Sequence, residues 1–403
     1  MERKIKLGII GIGNIGSIHA KKIYDGQCPD FELVAVADLD PERLEWAKEA
    51  FGSGVVLFDD AEKMLDSKMI DACIVSVPHY EHTKYAIACM QRGIHVMVEK
   101  PAGVFTREVE QMNNEADQHP EVVFGMMFNQ RTNHIYRKLK EMIDSGVYGN
   151  IRRVNWIITN WYRPQAYYNS GKWRATWAGE GGGVLLNQCP HQLDLWQWLC
   201  GMPVKVHAHL HYGKWHDIEV EDDVTAYVEY PNGATGVFIT TTGDACGTNR
   251  LEIQMDKARI IAQNDVLEVT EYEMTEQEFS AINTSPFGAI HTKQFTAETD
   301  GENPQHIGVI NAWGGAILRK EPLIADGREG INGLMLSNAM HLSSWLGKAV
   351  ELPIDADLYY EELMKRVVTS KQKKTVVKVI AEIDDSYAGS PTGEYKARWN
   401  TNW

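Results

Sequence analysis

The sequence predicts an α/β protein in which a doubly wound parallel sheet is followed by an α+β unit with a largely antiparallel sheet. Two observations carry this reading. In the first third, short and nearly continuous apolar strands alternate with helices, the pattern of a parallel sheet covered on both faces. Beyond it, strand-like segments recur at hairpin spacing and the helices stand apart from them. The 403 residues favour two or three domains at roughly 150 residues each. The change of pattern divides the chain into residues 1–128 and residues 129–403.

Residues 4–10 read as a strand, 15–24 as a helix and 32–37 as a second strand. A helix at 41–51 opens on Pro41, whose fixed φ suits a first turn. A strand at 72–77, a helix at 82–92 closed by Gly93, and strands at 95–98 and 121–128 complete the first unit. The second opens with a helix at 135–145. Strands follow at 152–159, 204–211, 224–230, 235–241, 250–254 and 258–261. Pro231-Asn232-Gly233 is a hairpin turn between two of them. Helices return at 307–318 and 330–347, and the polar stretch 386–403 reads as an arm that docks on another subunit.

Composition narrows the function. Hydrophobic residues make up 44% and charged residues 24%, an ordinary globular balance. No run approaches the ~18 apolar residues of a membrane helix. The apolar stretch near the start is broken by Gly8, Gly11 and Gly13, so no secretory leader is expected. Forty basic against fifty-five acidic residues give a net charge of −15, with no basic stripe, which argues against nucleic acid as a partner. The six cysteines are scattered without a C-x-x-C pair and read as reduced thiols of a cytoplasmic protein.

Gly11-Ile12-Gly13-Asn14-Ile15-Gly16 follows the first strand and opens the first helix. Gly11 permits the tight turn, Gly13 lets backbone approach a pyrophosphate, and Gly16 lets the helix pack on the sheet. Asn14 and Ile15 begin the helix whose N-terminus faces the anion. Asp38 ends the second strand twenty-two residues after Gly16, placed to bond adenosine ribose hydroxyls. This is a Rossmann-type dinucleotide site. The Asp38 carboxylate would repel a 2′-phosphate, and Leu39, Asp40 and Pro41 bring no arginine. Arg43 is the only nearby cation, so NAD is favoured over NADP.

Glu99-Lys100-Pro101 closes a strand at the carboxyl edge of the sheet, where such folds place their ligand. Further on, Gly181-Gly182-Gly183 leads into Asn187, His191 and Asp194. If this segment is helical, the three polar residues stand at i, i+4 and i+7 on one face, with Pro190 loosening the middle turn.

These motifs resemble the Gfo/Idh/MocA oxidoreductases over essentially the whole chain. The Pro78-x-x-x-His82 loop, Glu221-Asp222-Asp223 and Asn249-Arg250 add to the likeness. The resemblance implies an NAD(P)-binding domain joined to an open-faced sheet domain, acting on sugars, inositols and related polyols. It also implies a homodimer or homotetramer built through that sheet, and a cis Lys100–Pro101 bond. Pro78, His79, His82, Glu99 and Lys100 join the cofactor contacts on the same ground. In chemical terms His191 suits a general base, its ordinary pKa lying near neutrality. Lys100 would orient the substrate hydroxyl and stabilise alkoxide charge. Asn187 stands where many relatives carry Asp. An amide can orient a hydroxyl but cannot stabilise an imidazolium, so a lower His191 pKa is expected. Asp194 is read as a substrate ligand.

Seven of the twelve tryptophans lie between Trp156 and Trp215. Trp156, Trp161, Trp196 and Trp198 read as packing residues. Arg163, Trp173 and Arg174, with Lys172 nearby, read as sugar contacts through stacking, hydrogen bonds or an acidic group on the substrate. His207, His209 and His211 share one strand face, but a flat strand seldom converges three histidines on one ion, and no metal site is predicted. Asp222 and Asp223 read as turn anchors, and His306 as bordering the substrate site. The resulting expectation is an NAD-dependent dehydrogenase acting on a secondary hydroxyl of a small sugar or glycoside, with carbon 3 suggested by the resemblance. The alternatives are a redox-neutral glycosidase working by transient oxidation and elimination, and a non-catalytic regulator that senses NAD and a sugar.

Overall fold

The computed structural model describes residues 3–370; the segment 386–403, read above as a docking arm, lies outside them. The first sheet is built from strands whose side chains are apolar on both faces. These are β1 (Ile5–Ile10), β2 (Phe31–Ala37), β3 (Val56–Phe58), β4 (Ala72–Val75), β5 (His95–Val98) and β6 (Phe124–Met126). Their order is β3-β2-β1-β4-β5-β6, and every pairing is parallel. The order reverses between β1 and β4, so the crevice outside their carboxyl ends is the natural ligand position.

The second sheet holds β7 (Ile151–Ile158), β8 (Lys205–Tyr212), β9 (Glu221–Glu229), β10 (Thr235–Thr241), β11 (Asn249–Met255), β12 (Ala258–Gln263), β13 (Val266–Tyr272), β14 (Thr292–Thr296) and β15 (Val350–Glu351). Nine strands run in the order β14-β13-β12-β11-β7-β10-β9-β8-β15. β7 pairs parallel with β10, and the remaining neighbours are antiparallel. Period-two patterning gives the sheet one buried and one exposed face. Val206, Ala208 and Leu210 of β8 point inward, while His207, His209 and His211 lie exposed on the other side. The helices Pro190–Cys200 and Gly330–Leu346 cover the buried face, and Trp196 of the first stacks on Trp156 of β7 in the core, as expected of packing residues.

Several elements depart from the sequence reading. The helices Ala61–Asp66, Thr106–Gln118 and Ala356–Thr369 and the strands β13 and β14 are absent from it. Thr106–Gln118 holds few apolar residues, and β14 is exposed along its length, so neither gives a clear periodicity. The helix Gln305–Arg319, which the boundary at 128 assigns to the second unit, packs back on the first sheet. Its Val309, Ile310 and Trp313 share a core with Ile5, Leu7, Ile9 and Phe31. Trp313 is fully buried, stacks on Phe31 at 5.3 Å and donates its indole N–H to the Val123 carbonyl at 3.1 Å. Among the described residues no helix is long and apolar enough to cross a membrane.

Truncating Trp313→Ala should cost about 3–5 kcal/mol, read as a lowered midpoint of chemical unfolding. A loss below about 1 kcal/mol would show that the helix is not part of the first unit's core.

Candidate active site

The glycine turn after β1 is shaped by contacts that exclude side chains at one position and leave another open. A Cβ on Gly16 would lie 1.9 Å from the Gly11 carbonyl oxygen, so close helix packing demands glycine there. A Cβ on Gly13 would meet nothing within 4 Å, so the surface at that residue is open. Gly13 caps the helix Asn14–Tyr24 without a side-chain hydrogen bond to its first turn. Backbone N–H groups at such a terminus suit an anion. Asp38 follows β2, and its carboxylate accepts the main-chain N–H groups of Ile12 at 2.8 Å and Asp40 at 2.9 Å. It therefore ties the glycine turn to the second strand while remaining partly exposed. An open glycine, an uncapped helix start and a fixed acid fit a dinucleotide.

Lys100 follows β5, and its bond to Pro101 is cis. Its ammonium donates to the Asn187 carbonyl oxygen at 2.9 Å, joining the first unit to the turn after the three glycines. Burial pushes the Lys100 ammonium below its usual value, opposed by the nearby charges of Glu99 and Glu180. That turn is anchored from beneath. The buried Glu221 carboxylate accepts the N–H groups of Gly183 at 2.9 Å and Leu185 at 3.0 Å, and His341 Nε2 lies 3.0 Å from it.

The helix carrying His191 starts at Pro190. Proline lacks an N–H and fits the first helical position, so the helix begins there instead of running through it. Asn187 thus sits in the preceding turn, off the helical face expected for it. His191 is buried, and its Nδ1 has no hydrogen-bond partner among the described residues. Burial pushes its pKa well below the ordinary value, and the Lys100 charge acts in the same direction. His306 is buried nearby and feels His19, His191 and Lys100, with its ring 5.4 Å from His19.

Asp194 requires a correction. It is fully buried and accepts two hydrogen bonds from Arg131, from Nε at 2.9 Å and from an Nη at 2.6 Å, and a third from Gln197 at 3.1 Å. Its oxygens hold the scaffold and leave no role as a substrate ligand. Two of the expected cofactor contacts also have partners within the protein. Both His82 ring nitrogens lie at carbonyl oxygens, Pro101 at 2.6 Å and Val77 at 2.7 Å, so His82 clamps the loops after β4 and β5. His79 Nδ1 lies 3.2 Å from the Glu180 carbonyl, and its ring meets Trp173 edge-on at 5.8 Å. Pro78 starts the turn that presents both histidines. Glu99 is buried with one oxygen 2.7 Å from His19 Nε2 and the other accepting the Lys100 N–H at 3.2 Å.

Around this knot, Arg163 and Arg174 flank the Tyr167 ring at 5.1 and 4.6 Å, and Arg174 also lies over Trp173 at 4.6 Å. Trp173, Arg163 and Arg174 are partly exposed and Lys172 is exposed. Asp222 accepts the N–H groups of Lys214, Trp215 and His216, the turn anchor expected. Asp223 bonds side chains instead, Lys214 Nζ and Trp215 Nε1. The sequence reading missed His19, Arg131 and Glu180. Each acts through a partner at least seven positions away, which the local sequence pattern does not announce.

Two family models match: "Oxidoreductase family, NAD-binding Rossmann fold" over residues 5–126, and "GFO/IDH/MocA C-terminal domain" over residues 136–261. The myo-inositol 2-dehydrogenase of Thermotoga maritima is 27% identical over 268 residues, 64% of this chain and 75% of the relative. The NADP(+) scyllo-inositol 2-dehydrogenase IolW of Bacillus subtilis is 29% identical over 209 residues, 51% of this chain and 54% of the relative. The chain thus spans only about half the length of that second relative. Among solved structures, the WlbA dehydrogenase of Chromobacterium violaceum, in complex with NADH and UDP-GlcNAcA, has a TM-score of 0.76 at 27% identity, covering 88% of this chain and 98% of that one.

The two glycines separate folding from binding. Gly13→Ala should leave the thermal midpoint unchanged and weaken the dinucleotide about tenfold or more, ~1.4 kcal/mol, by fluorescence titration. Gly16→Ala should lower the midpoint as well. Equal binding by Gly13→Ala and the parent would remove the pyrophosphate from this turn.

Proposed function

The chain belongs to the Gfo/Idh/MocA family of NAD(P)-binding oxidoreductases, and on that premise we propose that it is an NAD-dependent dehydrogenase of sugars or glycosides. It moves a hydride between a ring carbon bearing a secondary hydroxyl, carbon 3 first among them, and the nicotinamide. The observation that carries this reading is Lys100, tied to Asn187 beside a neutral, buried His191. NAD, when bound, supplies the hydride acceptor. Lys100 donates a hydrogen bond to the substrate oxygen and stabilises its developing negative charge. His191, uncharged at neutral pH, accepts the hydroxyl proton as the carbonyl forms. Its depressed pKa keeps the base available well into the acid range.

Asp38 supports NAD over NADP, because its carboxylate faces the ribose end of the glycine turn and repels a phosphate there. The exposed sheet face with His207, His209, His211 and Tyr227 supports assembly of a homodimer or homotetramer through it. The six scattered cysteines, without a C-x-x-C pair, support a reducing cytoplasm. A second reading concerns the substrate alone. Arg163 and Arg174 converge on Tyr167 close enough for both charges to act on Lys100, which favours a sugar bearing an acidic group.

The test is a mass and absorbance analysis of the purified protein, followed by a panel of polyols, neutral sugars, uronates and glycosides with added NAD. Reduced nicotinamide accumulating with one class supports the dehydrogenase and names its substrate. Glycoside cleavage without net reduction would overturn it for the redox-neutral glycosidase. Tight NAD binding with every substrate inert would overturn it for the regulator. The active enzyme should lose about 10³-fold in kcat on Lys100→Ala. Its kcat/KM for oxidation should fall on the acid side only below about pH 6.5, the ordinary histidine value. Lys100→Met removes a repelling charge from His191, so that acid limb should move to higher pH. An unmoved limb would place the titrating base elsewhere.

A further inference from the structure

The site contains a buried carboxylate that the chemistry above does not use. Glu180 is 2% exposed and lies just before the three glycines. One of its oxygens accepts the Ala175 main-chain N–H, and the other accepts the Asn187 side-chain amide. Asn187 is therefore held twice, its main-chain carbonyl oxygen by Lys100 and its side-chain NH₂ by Glu180. A carboxylate only accepts hydrogen bonds, so Asn187 must turn its NH₂ toward Glu180. Its Oδ1 is left as an acceptor, 3.5 Å from the Tyr167 hydroxyl, which in turn accepts from Arg174 at 2.8 Å.

Charge points the same way. Lys100 is faced by Glu99 and Glu180 as anions and by Arg163 and Arg174 as cations. Glu99 is already engaged by His19 at 2.7 Å. Asn187 brings no charge of its own.

We propose that Glu180 is a positioning residue of the hydride-transfer site: it fixes Asn187 Oδ1 as a hydroxyl acceptor and places a negative charge close to Lys100. The inference rests on the dehydrogenase reading for its catalytic meaning, but its geometry is testable without turnover. Reversing the polarity of the pair gives the sharpest test. Glu180→Gln keeps the Ala175 contact through Oε1 but sets NH₂ against NH₂ at Asn187. Asn187→Asp alone sets two carboxylates against each other. In the double variant E180Q/N187D the amide at position 180 donates to the carboxylate at position 187, and both polarity and charge are restored.

Each single variant should lose about tenfold or more in kcat, and the double variant should recover to within about threefold of the parent. The basic limb of the pH profile should shift to lower pH in Glu180→Gln and return in the double variant. Independently of turnover, the pH at which an amine reagent labels Lys100, read by peptide mass analysis, should follow the same order. If Glu180→Gln is too unstable to assay, recovery of folding in the double variant supports the pairing. Additive losses in the double variant, or a Lys100 labelling profile unmoved by Glu180→Gln, overturn the proposal. Labelling that shifts as described in a protein inert to every alcohol would leave the Glu180 geometry standing and remove the dehydrogenase reading.

Discussion

The buried ion pair between Arg131 and Asp194 is the constraint on which the arrangement of the site depends. Arg131 lies just beyond β6, at the end of the first sheet, and Asp194 lies one turn into the helix that begins with Pro190. Both side chains are 1% exposed, and the guanidinium also reaches Glu329 at 2.8 Å and the Ile324 carbonyl at 3.3 Å. The ring faces of Phe128 and Trp198 lie 5.4 and 5.3 Å from it. Such a pair gives little net stability, because desolvation offsets most of its attraction, yet removing one partner leaves a buried charge at a cost of about 3–5 kcal/mol. Its effect is geometric. It locks the helix carrying His191 to the segment that leaves the first sheet after β6, and the Lys100–Asn187 hydrogen bond makes a further link to the first unit.

With the two elements locked, burial separates the roles of two basic groups. The same desolvation that lowers both Lys100 and His191 leaves them in different states at neutral pH. Lys100 starts from a high value, and the charges of Glu99 and Glu180 oppose the lowering. His191 starts near neutrality and faces that cation, so it remains the neutral base. The gap between their ordinary values therefore survives burial, which is the basis of the donor and acceptor roles proposed above. The His19–Glu99 contact and His306 are buried close by, with the His19 and His306 rings 5.4 Å apart.

Legibility in the sequence followed the range of the interactions. The glycine turn, Asp38 and the strand ending in Lys100 are local features, set by backbone geometry over a few residues, and they stand where the sequence reading put them. The Asn187, His191 and Asp194 spacing was local too, but Pro190 decided the outcome. It starts the helix, which moved Asn187 into a turn and left His191 and Asp194 one turn apart. Asp194 was mistaken for a ligand because its partner, Arg131, lies 63 positions away and nothing in the intervening pattern announces it. Glu180 was hidden by its surroundings, a loop of aromatic and basic residues that resembled a ligand-contacting segment. The return of the helix Gln305–Arg319 to the first sheet was equally unreadable, since an apolar helical stripe does not state which sheet it will cover.

The central claim is that Lys100 and His191 serve direct hydride transfer from a sugar carbon to the nicotinamide. The most direct measurement is label transfer: incubation of the enzyme and NAD with carbon-deuterated sugars and glycosides, followed by mass analysis of the dinucleotide. The account predicts deuterium in the reduced nicotinamide with a substrate labelled at the hydroxyl-bearing carbon, and none with Lys100→Ala. Turnover of such a substrate with no label reaching the dinucleotide would contradict it.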